Sequence, residues 1–123
     1  MKLFLRKVIN KFKYAFDGLL YGLMHDQSIQ IQYGIGFIVI LFCLFLPLSK
    51  IEWSIILILI GLVITLEYLN SAIERICDFI SSEYDPRIKV IKDYGSAFVL
   101  VMSIVAAIIA LLVIGDKLWM VLF

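Results

Sequence analysis

Four polar residues repeat at helical spacing in the middle of the chain. Glu67, Asn70, Glu74 and Asp78 fall at i, i+3, i+7 and i+11. At about 100° per residue they share a stripe roughly 80° wide on one helix face. The segment 53–66 leading into Glu67 is apolar and uncharged, so the stripe sits at the end of a membrane-like run. Ionisable groups at such depth are costly unless paired or hydrated, and they mark function by default. Crowded acids repel one another unless a cation joins them. Mg2+ takes carboxylate oxygens together with substrate phosphates. Lys92 and Asp93 follow a short distance on: a lysine to neutralise phosphate and an acid to help hold metal or nucleotide. Acids for metal, one acid as base and a lysine for phosphate are the parts that phosphoryl transfer requires. The same charges also fit a solvated helix end, with Arg75 and Lys92 as surface partners, and spacing alone leaves both readings open.

The elements that position these residues follow from composition. The chain has 123 residues, enough for one domain, and 63% of them are hydrophobic. A soluble domain sits nearer 45–50% apolar, roughly, so the surplus points to lipid as solvent. The net charge of +1 provides no basic field for nucleic acid. Cys43 and Cys77 are far apart among apolar neighbours and read as small buried hydrophobes. No GxxxxGK[ST] or GxGxxG loop is present. Gly34 and Gly36 read as a helix-packing feature. His25, the one histidine, reads as interfacial.

Residues 1–26 read as an amphipathic surface helix. Lys2, Arg6, Asn10, Lys13 and Asp17 recur on one face, with Leu3, Leu5, Phe12, Ala15, Phe16, Leu19 and Leu23 elsewhere. No compact apolar core followed by a small-residue cleavage site marks the start as a signal peptide. The stretch 27–49 is uncharged, and its apolar part predicts a first membrane helix over about 30–48. Pro47, Ser49 and Lys50 predict a tight turn. A second helix is expected over about 52–80, with Trp53 at an interface. Residues 81–92 are expected to form a charged loop turning at Pro86. The uncharged run 94–115 is the clearest span.

The expected fold is therefore an all-α membrane protein, with three transmembrane helices and an N-terminal surface helix in a single domain over 1–123. Nine Lys and Arg residues lie in 1–26 and 75–92, against Lys50 and Lys117 on the other side. The positive-inside rule then puts the N-terminus and the second turn in the cytoplasm.

At the polar stripe the chain resembles the small prokaryotic diacylglycerol kinase family, which includes the undecaprenol kinases. The residues that carry the resemblance are Glu67-Tyr68-Leu69-Asn70-Ser71-Ala72-Ile73-Glu74-Arg75-Ile76-Cys77-Asp78 and, after the turn, Lys92-Asp93-Tyr94-Gly95-Ser96-Ala97. The likeness extends over nearly the whole chain, including 12–33. It implies a multi-pass lipid kinase of the bacterial cytoplasmic membrane. Such an enzyme uses ATP and Mg2+ to phosphorylate diacylglycerol or undecaprenol, as a homotrimer with active sites shared between chains. By resemblance Glu67 is the general base that takes the lipid hydroxyl proton. Glu74 and Asp26 hold metal and contact ATP. Tyr14, Glu83, Tyr84, Asp85, Lys92 and Asp93 complete the nucleotide site. Lys7, Asn70 and Ser96 lie where the family meets its lipid, and Asn70 helps order the site.

This chain departs from the family pattern at three of these places. Asp26 stands where the family has a second metal-binding glutamate, one methylene longer. Lys7 stands where arginine is common, which removes a bidentate fork. Ile91 stands where alanine is frequent.

Two other classes compete. A small proton-coupled transporter would use Glu67 as a proton carrier and leave Lys92 and Asp93 idle. A non-catalytic scaffold would use Gly34, Gly36 and Gly61 for close helix packing.

Overall fold

The computed structural model describes residues 1–123, and every regular element in it is helical. Helix α1 spans Lys2–His25, α2 Gln27–Cys43, α3 Lys50–Ile80 and α4 Pro86–Leu122. Two of them, α3 and α4, are long and apolar enough to cross a membrane. At 1.5 Å per residue they run about 46 and 55 Å, beyond a hydrocarbon core of about 30 Å. The α1–α2 pair qualifies as a third span only if taken as one element bent by 94°.

The bend falls at Asp26, whose backbone is extended. Its carboxylate accepts from the Ile29 N–H at 3.1 Å and so caps α2. Aspartate suits this position because its short side chain reaches the third helical amide. The Gln30 side chain donates back to the Leu23 carbonyl at 3.0 Å and ties the two helices across the corner.

Helix α2 ends at Cys43, five residues before the expected limit of 48. Pro47 accounts for this: it disfavours helical geometry at Leu46 and offers no N–H of its own. Ser49 then opens α3 with a capping box. Its hydroxyl accepts from the Glu52 N–H at 3.2 Å, and the Glu52 carboxylate accepts from the Ser49 N–H at 2.7 Å.

The expected loop over 81–92 is corrected to 81–85. Pro86 begins α4 instead of turning the chain, because proline at the first helical position has no amide to leave unpaired. Asp85 caps the helix, accepting from the Arg87 N–H at 2.8 Å. Helix α4 also continues through Asp116 and Lys117 to Leu122, beyond the expected end at 115.

Helices α3 and α4 pack antiparallel as the main interface of the fold. An ion pair lies at each end: Lys92 to Asp78 at 2.5 Å beside the turn, and Lys117 to Glu52 at 3.3 Å at the far end. The buried face of α3 carries Ile56, Leu59 and Val63 and continues at the same spacing into Glu67, Asn70 and Cys77. Only 13 of the 123 residues are buried, which suits a chain whose apolar surface meets lipid or other chains instead of a private core. The most apolar stretch of α4 has no buried residue at all.

Cys43 and Cys77 are buried free thiols, as composition suggested. Of the three glycines considered for close packing, only Gly36 does so. A Cβ there would lie 2.8 Å from Ile60 Cγ2, whereas Gly34 and Gly61 have nothing within 4 Å.

Candidate active site at the α3–α4 turn

The site is built on the last four turns of α3. Glu67 is 5% exposed and Asn70 7%, both held on the buried face of the helix. The Asn70 amide, one turn on, and Gln32 from α2 are the polar side chains beside the Glu67 carboxylate, and Asp26 and Glu74 are the nearby acids whose charge it feels. No lysine or arginine pairs with Glu67. A nearly buried carboxylate is thus flanked by neutral amides, with two further acids toward the outside. Glu74 and Asp78 continue the stripe into the exposed zone.

Helix α1 lies across this end of α3 through three contacts. The Tyr68 hydroxyl donates to the Leu19 carbonyl at 2.7 Å. The Arg75 guanidinium stacks over the Tyr21 ring, 5.0 Å from its centroid. Gly22 packs so tightly on the Tyr68 ring that a Cβ would clash with it. Together these bring Asp26 beside Ser71 and Arg75. Burial alone would raise the Asp26 carboxyl. The Ser71 hydroxyl, the Ile29 and Ser28 amides and the Arg75 charge outweigh it and hold the group below the ordinary 3.8.

The turn and the start of α4 carry the charged residues expected at the nucleotide. Lys92 is paired with Asp78, and Lys89 with Asp93 at 2.6 Å. Asp85 is engaged by Arg87 through both carboxylate oxygens, at 3.2 and 2.8 Å. These contacts lower the Asp85 carboxyl to about 2 and raise Lys92 and Lys89 above their usual value. Glu83 is exposed, and its N–H donates to the Ser81 hydroxyl at 3.2 Å, shaping the turn. Tyr84 is exposed.

Glu67, Asn70, Glu74 and Asp26 are therefore gathered together, and Lys92 is brought to the same stripe through Asp78. Tyr14, Lys7 and Ser96 are exposed, with no hydrogen-bond or ion-pair partner that ties them to this group. His25 stacks on Tyr21 with centroids 4.3 Å apart and hydrogen-bonds the Tyr21 carbonyl at 3.1 Å. Residues not singled out from sequence include Gln32, Tyr68, Gly22 and Gly95. Gln32 left a signal as an amide inside an otherwise apolar span, and Tyr68 and Gly95 stand within the motifs that carry the family resemblance. The contacts of Tyr68, Gly22 and Gly95 lie between helices, where spacing does not reveal them.

The donor set suits a hard cation, since Asp26, Glu67 and Glu74 all offer carboxylate oxygens. No three His, Cys, Asp or Glu side chains converge closely enough to cage a metal unaided. Mg2+ is commonly held by one or two carboxylates and completed by substrate phosphates. The residues present fit a metal that arrives with its nucleotide.

A buried acid on a helix long and apolar enough to cross a membrane, beside an acidic stripe and a charged turn, makes up the candidate site. The sequence profile of the prokaryotic diacylglycerol kinase family matches residues 13–114. The chain is 32% identical to undecaprenol kinase of Bacillus subtilis over 114 residues, which is 93% of each chain. It is 34% identical to diacylglycerol kinase of Escherichia coli K12 over 104 residues, covering 83% of this chain and 84% of the relative. Diacylglycerol kinase of Haemophilus influenzae is 31% identical over 105 residues, 85% of this chain and 89% of that one. The chain belongs to the prokaryotic diacylglycerol kinase family, a family of lipid kinases.

Proposed function

We propose that the chain transfers the γ-phosphoryl group of ATP, with Mg2+, to the hydroxyl of a membrane lipid alcohol, diacylglycerol or undecaprenol. The observation that carries this reading is Glu67. It is a nearly buried carboxylate with amide neighbours and no cation. A carboxylate neutralised by lysine or arginine is a poor proton acceptor; one beside amides keeps a lone pair for a substrate hydroxyl.

Glu67 accepts the lipid hydroxyl proton as the lipid oxygen bonds to the γ-phosphorus. The bond from that phosphorus to the bridging oxygen breaks, and ADP leaves. When bound, Mg2+ supplies positive charge against the phosphoryl oxygens. Asp26 and Glu74 offer it oxygen ligands. Lys92 exchanges Asp78 for a phosphate oxygen. Asp93, Glu83, Tyr84, Asp85 and Tyr14 serve the nucleotide, and Lys7, Ser96 and Asn70 serve the lipid.

In this reading residues 1–123 form one domain. Helices α2, α3 and α4 cross the bacterial cytoplasmic membrane with the N-terminus inside, and α1 lies in the interface. The enzyme is a homotrimer with shared active sites, as the family resemblance implies, and the unburied surface of α4 is free to meet lipid or a neighbouring chain.

The test is transfer of labelled γ-phosphate from Mg·ATP to each lipid, in parallel, with purified protein in mixed micelles. Labelled product from one lipid supports the reading and names the substrate. Proton-driven uptake into vesicles without ATP, and no labelled lipid, contradicts it.

A further inference from the structure

We propose that Gly95 is a positioning residue for Asn70 and, through Asn70, for Glu67; this rests on the reading of Glu67 as the base. Gly95 is the one buried residue of α4. A Cβ built on it would lie 2.5 Å from Asn70 Oδ1, 3.5 Å from Asn70 Cγ and 3.6 Å from Ile73 Cγ2. Its backbone has no positive φ, so space, not conformational freedom, demands glycine there. Space does not demand it at Gly18, Gly34, Gly61 or Gly115, which have nothing within 4 Å.

The second observation is independent. Asn70 Oδ1 is buried and has no hydrogen-bond partner. An orphaned buried carbonyl is costly, and it persists in a fold only where something else fixes the group. Here the fixing has two sides. The carboxylate of Glu67 only accepts, so the NH2 end of the Asn70 amide must face it. The carbonyl end is then turned toward α4. The glycine hydrogen that replaces a Cβ points at it, leaving only a weak Cα–H···O contact.

Gly95 thus lets α4 approach until its backbone closes over the amide. Asn70 cannot turn away from Glu67 without driving its oxygen into that backbone. The same close approach sits one turn from Lys92 and its pair with Asp78. Base and phosphate-facing lysine are therefore set in register by a single crossing point.

The experiment compares wild type, Gly95→Ala, Asn70→Ala and the double variant for kcat and for KM of Mg·ATP with the preferred lipid. Gly95→Ala is expected to lower kcat by about ten- to a hundredfold, the scale of an ångström-sized misplacement, with KM of Mg·ATP unchanged. In the Asn70→Ala background, adding Gly95→Ala is expected to change kcat by less than about twofold, because coupled residues are not additive. The NMR resonance of the Asn70 side-chain amide should shift in Gly95→Ala, whatever the activity.

Losses that multiply, a wild-type kcat in Gly95→Ala, or an unmoved amide resonance would overturn the inference. If Gly95→Ala does not fold, Asn70→Ser with Gly95→Ala should restore the folded chain, since the smaller side chain clears the methyl; failure to do so also overturns it. Absence of lipid phosphorylation by the wild type counts against the kinase reading instead.

Discussion

The Lys92 ammonium lies 2.5 Å from Oδ1 of Asp78, across the α3–α4 crossing. The lysine expected at the nucleotide phosphates is thus paired with an acid of α3. Both side chains are well exposed, at 38% and 66%, and exposed pairs of this kind hold weakly. A phosphate can displace the carboxylate. Asp78→Asn should leave thermal stability nearly unchanged and lower KM of Mg·ATP severalfold, because Lys92 no longer has to leave a partner. Steady-state kinetics beside a melting curve check this. An increase in KM would mean that Asp78 itself serves the nucleotide.

Asp26 combines a helix cap with a negative charge near Glu67, and two substitutions separate the roles. Asp26→Asn keeps the cap, since asparagine is an equally good cap residue. It should preserve stability and raise the Mg2+ concentration needed for activity. Asp26→Glu keeps the charge but moves the oxygen away from the Ile29 amide. It should cost about 1 kcal/mol of stability while retaining Mg2+ dependence. Thermal unfolding and Mg2+ titrations of both variants give the answer.

The start of α4 is sensitive to acid. Asp85 has a folded-state pKa of about 2 against an ordinary 3.8, with the Arg87 side chain as the main cause. A depressed carboxyl stabilises the fold above its unfolded pKa, and that contribution is lost as pH falls through the folded one. The first turn of α4 should therefore loosen between about pH 4 and 2. Amide exchange at Arg87 and Ile88 should quicken across that window, and Asp85→Asn should abolish the pH dependence.

Gly36 and Gly34 provide a contrast within one helix. Gly36→Ala forces a methyl against Ile60, and overpacking of this kind costs about 1–3 kcal/mol. Gly34→Ala meets open space and should be neutral or slightly stabilising, because alanine is the better helix former. Thermal unfolding in one detergent distinguishes them.

Much of this arrangement is legible in the sequence because helical periodicity is a strong signal. The Glu67 stripe, the long α3 and the uncharged core of α4 can all be read from spacing and hydropathy. The ends of the helices are harder to read. Pro86 is both a turn signal and a favoured first helical residue, and only the Asp85 cap shows which role it plays. Pro47 shortens α2 through its effect on the residues before it. The pairing of Lys92 with Asp78, the orphaned oxygen of Asn70 and the need for glycine at 95 arise where two distant segments meet. Nothing in the local pattern of either segment encodes that meeting.

The most direct test of the central claim is the rate of lipid phosphorylation by Glu67→Gln under saturating Mg·ATP and lipid. Glutamine keeps the size of the side chain and loses the proton acceptor. The account predicts a fall in kcat of about 10²- to 10⁴-fold, the usual contribution of a general base, with Mg·ATP binding and oligomeric state retained. A folded Glu67→Gln variant that keeps most of its wild-type kcat would contradict it.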